Sequence, residues 1–304
     1  MDGRISALSP VVSGVPQGTV LGPILFLLHI ADIAKGVSTN TTLKSYVDDT
    51  RVQRMISDPN ADCSALQADL NSIYQWADEV AMVFNGEKFE ALRYWPGRLA
   101  KPSAPYLDPE GNAIEEKENL RDLGVQIASD CSFTAHIENT IAAGNKVAGW
   151  ALRSFRRRSK KVRMTIWTTM VQSKLDYCSV LWSPSLQAGV SGRHFTAQVS
   201  GMSELDYWDR LTALQLYSQE RRREGYAVIF AWKLAQQLVL GYSLEFVQNE
   251  RRGRLAVVHP VPNHVPASVR KAREGSLQAK GAKLFNSTPK ELRDMSGTAL
   301  LFKD

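Results

Sequence analysis

The chain has 304 residues, 44% hydrophobic and 22% charged, with a net charge of +6, enough to bury a full core and, by length, to form two domains. Its three cysteines, Cys63, Cys131 and Cys178, are far apart and support neither a disulfide framework nor a paired-cysteine zinc site, so a reducing intracellular setting, nuclear or cytoplasmic, is expected. No apolar signal core follows Met1, and the longest apolar run, residues 20–31, contains His29 and falls short of a bilayer span, so no membrane partner is expected.

The charge is unevenly spread. Residues 1–130 carry 11 Lys+Arg and 18 Asp+Glu, a net −7, whereas residues 131–304 carry 26 and 13, a net +13. A strongly basic half points to a polyanion such as nucleic acid, with a solvated basic surface as the plainer reading.

In chain order, residues 20–34 read as a buried helix, because Leu21, Ile24, Leu25, Leu28 and Ala31 recur at helical spacing and Lys35-Gly36 supplies a stop. Residues 42–55 read as two short strands about a turn at Asp48-Asp49. Asp58-Pro59-Asn60 opens a second helix with Leu66, Leu70, Ile73 and Trp76 on one stripe. Strands are expected over residues 91–95 and 123–127, separated by a Pro-rich connection. Beyond Phe133 the pattern turns helical, with one stripe through Ile137, Ile141, Ala148 and Leu152 and a longer one from Met164 through Trp167, Val171, Leu175 and Cys178 to Trp182. Tyr207, Leu211, Leu214 and Tyr217, and then Tyr226, Phe230 and Leu234, continue it, and Trp150, Trp167, Trp182 and Trp232 are expected in the core. After Gly241, Pro260, Pro262 and Pro266 punctuate a loop-rich tail.

Adjacent aspartates between apolar strands make chemical sense if they hold a divalent cation, since Mg²⁺ is a hard ion that prefers carboxylate and phosphate oxygens. A merely polar turn is the plainer reading of the dipeptide. Upstream, Ser13-Gly14-Val15-Pro16-Gln17-Gly18 forms a loop leading into the apolar helix, where Gly18 permits close approach of a ligand and Gln17 can donate and accept hydrogen bonds. A phosphate-binding P-loop is not supported, because no Gly-Lys-Ser/Thr follows.

At these residues the chain resembles the reverse transcriptases of non-LTR (LINE-type) retrotransposons. Residues 13–26, Ser-Gly-Val-Pro-Gln-Gly-Thr-Val-Leu-Gly-Pro-Ile-Leu-Phe, look like that family's substrate-contacting loop and helix, and Tyr46-Val47-Asp48-Asp49 looks like its metal-binding turn. Phe84-Asn85 with Lys88 is similar to the next polymerase motif, and Leu120 with Leu123, Gly124 and Val125 to the primer-gripping strand. Leu175-Asp176-Tyr177-Cys178, Leu181-Trp182-Ser183-Pro184 and residues 216–223 look like the helical region after the palm.

The resemblance implies an α+β chain: a truncated polymerase palm of short antiparallel strands and helices over residues 1–130, a helical, basic, thumb-like region over 131–240, and the tail over 241–304. It implies RNA-templated DNA synthesis with Mg²⁺ or Mn²⁺ on Asp48 and Asp49, Lys88 as proton donor or charge stabiliser, Pro16, Gln17 and Gly18 against nucleotide or template, and Leu123, Gly124 and Val125 gripping the primer. RNA template, DNA primer and deoxynucleoside triphosphates are the implied partners. The family's third metal-binding carboxylate and its fingers would precede this chain, so the expectation is a C-terminal fragment without activity of its own, or a noncatalytic nucleic-acid-binding remnant or pseudogene product. Arg153, Arg156, Arg157, Arg158, Lys160, Lys161 and Arg163 form the densest basic patch, which can track a phosphate backbone or serve equally as a nuclear-localisation signal.

Overall fold

The computed structural model describes residues 14, 18–94, 105–155, 159–182, 191–236, 238–239, 246–249, 254–257 and 277–289. The chain divides into two compact units, Met1–Glu118 and Asn119–Asp304. Both mix helices with short sheets, and every sheet among the described residues has two strands, so the fold class is α+β and helix-rich.

In the first unit α1 spans Gly22–His29, with Pro23 in its first turn. From Ala31 on, amides reach back three residues rather than four, as in Ile33 N to Ile30 O (3.2 Å) and Lys35 N to Asp32 O (2.8 Å), until Gly36 at φ +86° ends the winding. The sequence pattern predicts a buried helix here, and the structure corrects it. Ile24, Leu25 and Leu28 are 54%, 45% and 69% exposed, while Ile30 and Ile33, in the turns beyond, enter the core against Ile73, Trp76 and Ala77.

The β1 (Thr41–Tyr46) and β2 (Asp49–Arg54) strands pair antiparallel with Leu43 opposite Val52, both packed toward the same core. The 21-residue α2 (Pro59–Glu79) starts with Asp58 accepting hydrogen bonds from the Asn60 and Ala61 amides and with Pro59 in its first turn. Its expected stripe holds, with Ile73 and Trp76 buried. After it, Asn85 caps a 3₁₀ turn, Gly86–Lys88, while Phe84 and Phe89 pack their rings on Tyr74 at 6.1 and 5.9 Å. The strand expected over 91–95 is cut to β3 (Glu90–Ala91), paired in parallel with β4 (Glu115–Glu116); Trp95 lies outside the described residues.

The second unit opens with β5 (Asn119–Asp122) and β6 (Val125–Ala128), an antiparallel hairpin whose two turn residues, Leu123 and Gly124, have φ of +44° and +86°. Two successive positive φ values are what a type I′ hairpin turn needs. The single strand expected over 123–127 is therefore a turn followed by a strand. Helix α3 (Thr134–Ser154) packs against α4 (Lys160–Ile166), a π-helical stretch Trp167–Gln172, and α5 (Ser173–Asp176), around Ala148, Ala151, Ile166, Trp167, Val171, Leu175 and Phe195. The long stripe holds as far as Leu175. It then breaks, because Cys178 takes φ +49° and is exposed before α6 (Ser179–Trp182) brings Trp182 back into the interior.

Helices α7 (Ser191–Ala197), α8 (Tyr207–Leu214) and α9 (Gln219–Ala235) follow. Asp206 and Ser218 cap α8 and α9, and Gln215 in the left-handed region ends α8, leaving Tyr217 exposed. Within the stretch expected as a loop-rich tail, the described residues form two strands and a helix. Strands β7 (Phe246–Asn249) and β8 (Arg254–Val257) pair antiparallel, and α10 (Leu277–Ser287) packs Ala282 and Phe285 on Ala231 and Trp232 of α9. Pro260, Pro262 and Pro266 fall between these elements, outside the described residues. Of the tryptophans expected in the core, Trp150 is the exception: it is 47% exposed and stands edge-on to Phe155.

Candidate metal-binding hairpin and nucleic-acid interface

The β1–β2 loop has two residues, Val47 and Asp48, and Asp49 is the first residue of β2, opposite Tyr46. Both aspartates are exposed, and neither carboxylate has a hydrogen-bond or ion-pair partner among the described residues. Two adjacent anions at a tight turn repel each other, and no cationic side chain in the described structure offsets that. Val47 holds φ +56°, a conformation that a β-branched residue adopts only under strain of about 1–3 kcal/mol.

At the other end of the hairpin, the strands are fixed to α2 by a carboxylate that the sequence reading missed. Asp69 is only 4% exposed. It accepts hydrogen bonds from the Ser38 amide and the Ser38 hydroxyl (2.8 Å each) and from the Thr41 hydroxyl, and lies 3.6 Å from the Arg54 guanidinium. Thr41 and Arg54 are register partners, so one carboxylate closes the open end of the hairpin. Arg54 also pairs with Asp62 of α2 at 3.1 Å. Burial pushes the Asp69 pKa up, but the bonds from Thr41 and Ser38 and the charge of Arg54 outweigh it, and the net shift is downward. The available signal was an aspartate inside an apolar stripe, one residue before Leu70 and three after Leu66.

The other predicted site residues are distributed as follows. Gly18 is exposed at φ +79°, with open space where a side chain would stand; Pro16 and Gln17 lie outside the described residues. Lys88 ends the 3₁₀ turn beside Phe89, exposed, with no hydrogen bond or ion pair to Asp48 or Asp49 among the described residues. Leu123 and Gly124 form the β5–β6 turn and Val125 is buried below it. The Tyr177 hydroxyl donates to Leu123 O at 2.8 Å, and a Cβ on Gly124 would meet the Tyr177 ring at 3.4 Å.

Within the basic patch, Arg153 and Lys161 are exposed, and Lys160, also exposed, donates to Ala213 O at 2.6 Å. Arg163 departs from the expectation: at 2% exposure it is among the most buried side chains, and it donates to Phe155 O at 2.9 Å. It serves the core rather than a phosphate-tracking surface, because position 163 falls on the inward face of α4 beside Ile166 and Trp167. Arg156, Arg157 and Arg158 lie outside the described residues.

Residues 1–127 match the family of reverse transcriptases, RNA-dependent DNA polymerases. This part of the chain is reverse transcriptase sequence. The curated relatives that it resembles are polymerases of mobile elements. The chain is 27% identical over 186 residues to the RNA-directed DNA polymerase from mobile element jockey of Drosophila melanogaster, covering 58% of this chain and 20% of that protein. It is 24% identical over 185 residues to the jockey polymerase of Drosophila funebris, with 58% and 20% covered, and 23% identical over 184 residues to the probable RNA-directed DNA polymerase from transposon X-element of Drosophila melanogaster, with 59% and 20% covered. The chain thus spans about a fifth of the length of these curated relatives. No solved structure matches it. Asp48, Asp49, Lys88, Gly18 and the Leu123-Gly124 turn all fall within the reverse transcriptase match, whereas the basic patch lies beyond it. Among the described residues no group of three His, Cys, Asp or Glu side chains could hold a metal ion, and no helix there is long and apolar enough to cross a membrane.

Proposed function

We propose that this chain supplies the metal-bearing turn and the strand-gripping elements of an RNA-directed DNA polymerase, with RNA template, DNA primer and deoxynucleoside triphosphates as partners. The observation that carries the reading is the Asp48-Asp49 pair: two exposed, uncompensated carboxylates at the tip of a hairpin whose base is pinned by Asp69. Such a donor set fits Mg²⁺ or Mn²⁺, which are commonly held by one or two carboxylates together with water and substrate phosphates. When bound, the ion offsets charge on the phosphate oxygens during nucleotidyl transfer. In this reading Pro16, Gln17 and Gly18 line the nucleotide or template, Lys88 steadies or protonates departing pyrophosphate, and the Leu123-Gly124-Val125 turn grips the primer. The palm segment comprises residues 1–130, the thumb-like region 131–240 and the tail 241–304.

The test is Mn²⁺ binding to the full chain, read by water-proton relaxation. Binding lost in both Asp48→Asn and Asp49→Asn supports the reading; no binding, or binding indifferent to both changes, overturns it. A two-ion site takes more ligands than this pair, so these 304 residues alone are expected to give no templated primer extension. Extension that disappears in Asp48→Asn would contradict that expectation.

A second reading, noncatalytic nucleic-acid binding, is favoured by the net +13 of residues 131–304. It predicts affinity that falls steeply with salt and is unchanged in Asp48→Asn.

A further inference from the structure

Where α5 gives way to α6, Tyr177 and the left-handed Cys178 redirect the chain and open a cleft of about 430 Å³ against α9. Asp176, Ser179, Tyr226, Phe230 and Lys233 are among the residues that line it. Asp176 Oδ2 is fully engaged, accepting from Arg222 Nη2 at 2.9 Å, Arg222 Nε at 3.2 Å and the Tyr226 hydroxyl at 3.1 Å. Its other oxygen, Oδ1, is buried and accepts nothing among the described residues. Ser179 is 1% exposed, and its hydroxyl is likewise buried with no partner among the described residues. Each such orphan costs about 1–3 kcal/mol, so two on one cleft call for a ligand that satisfies them.

The chemistry of the walls narrows that ligand. A carboxylate oxygen wants an N–H, and a serine hydroxyl can donate to the acceptor beside it, which together complement the hydrogen-bonding edge of a nucleobase. Tyr226 and Phe230 offer aromatic surface for the ring, and Lys233 a cation for the attached phosphate. A small cation is a poorer match, since Arg222 already offsets the charge of Asp176. Tyr177, also on the wall, holds the carbonyl of Leu123 and packs under Gly124, so the cleft adjoins the turn assigned to gripping a strand.

We propose that this cleft takes one unpaired nucleobase of a bound strand, with Asp176 accepting from its N–H edge and Ser179 donating to it. The inference rests on the nucleic-acid reading of the second half of the chain.

The experiment measures binding of the full chain to fluorescent single-stranded RNA, single-stranded DNA and an abasic DNA of equal length. Two variants are compared with the parent: Ser179→Ala, which removes the hydroxyl, and Ile229→Trp, which fills the cleft while leaving the Asp176 network in place. Both should weaken binding to base-bearing strands about tenfold and leave the abasic strand unaffected. Ser179→Ala should do so with an unchanged or raised Tm, because it deletes an unsatisfied buried group. Loss confined to RNA assigns the base to the template, and loss confined to DNA to the primer; either supports the proposal. Base-bearing and abasic strands bound equally by the parent, or weakened equally by the variants, overturn it while the nucleic-acid reading stands. No binding to any strand overturns both.

Discussion

The Arg54 guanidinium lies 3.6 Å from the buried carboxylate of Asp69, and that carboxylate also receives the hydroxyl of Thr41, the residue paired with Arg54 across the hairpin. The tip bearing Asp48 and Asp49 is thus aimed from its far end. Asp69→Ala takes the acceptor from the Ser38 amide and the Thr41 hydroxyl and leaves Arg54 with Asp62 as its one carboxylate partner among the described residues, and should cost about 2–4 kcal/mol, read as a shift in urea midpoint. Because the folded pKa of Asp69 is lowered, its contribution is present above the unfolded value of 3.8 and is lost as the pH falls below that. The parent should therefore lose stability in acid more steeply than Asp69→Ala, and parallel acid profiles would refute this role.

Val47 is the strained residue of the turn. Val47→Gly relieves a left-handed β-branched residue but adds chain entropy to the unfolded state, for a net stabilisation of about 1 kcal/mol or less. Calorimetry should show a raised Tm, whereas a fall of several degrees would mean that the valine side chain contributes packing its exposure does not suggest.

His136 links the β5–β6 hairpin to α3. Its Nδ1 accepts from the Gln126 amide at 3.2 Å, and its ring stands edge-on to Trp182. Only the neutral ring can accept at Nδ1, and burial, then the charge of Arg121, lowers its pKa. The stabilisation is therefore present above the unfolded value of 6.5 and is lost as the pH falls through the lowered folded value. The protection of the Gln126 amide, its exchange rate taken relative to the intrinsic rate at each pH, should fall between neutral and mildly acidic pH and lose that dependence in His136→Phe; protection flat with pH in the parent would remove His136 from this role.

Much of this was legible because local rules decided it. Short β-prone runs on either side of Asp48-Asp49 placed the two strands of that hairpin, and Asp58-Pro59 marked the start of α2. What escaped depended on which face a residue met. The apolar run of α1 reads the same whether covered or open, so its exposed Ile24 and Leu28 could not be inferred from spacing. Leu123 at φ +44° is an unusual left-handed residue, so the residue types alone do not distinguish a hairpin turn at Leu-Gly from strand interior. Asp69 and Arg163 are polar residues on inward helix faces, where pairing partners distant in sequence make burial tolerable. A count of basic residues cannot tell such an arginine from a surface one.

That distinction gives the last expected outcome. Arg153 and Lys161 are exposed, whereas Arg163 is buried and bonded to Phe155 O. If the second half binds a phosphate backbone, Arg153→Ala and Lys161→Ala should each reduce the slope of log affinity against log salt by about 1 if each neutralises one phosphate, with Tm nearly unchanged. Arg163→Ala should instead open a hole beside Ile166 and Trp167 and cost about 2–4 kcal/mol of stability, with the salt slope of the remaining folded protein preserved. Titrations at several salt concentrations, paired with thermal melts, separate the two behaviours. A salt slope that changes in Arg163→Ala but not in Arg153→Ala or Lys161→Ala would place the phosphate-contacting surface on the opposite face of α4.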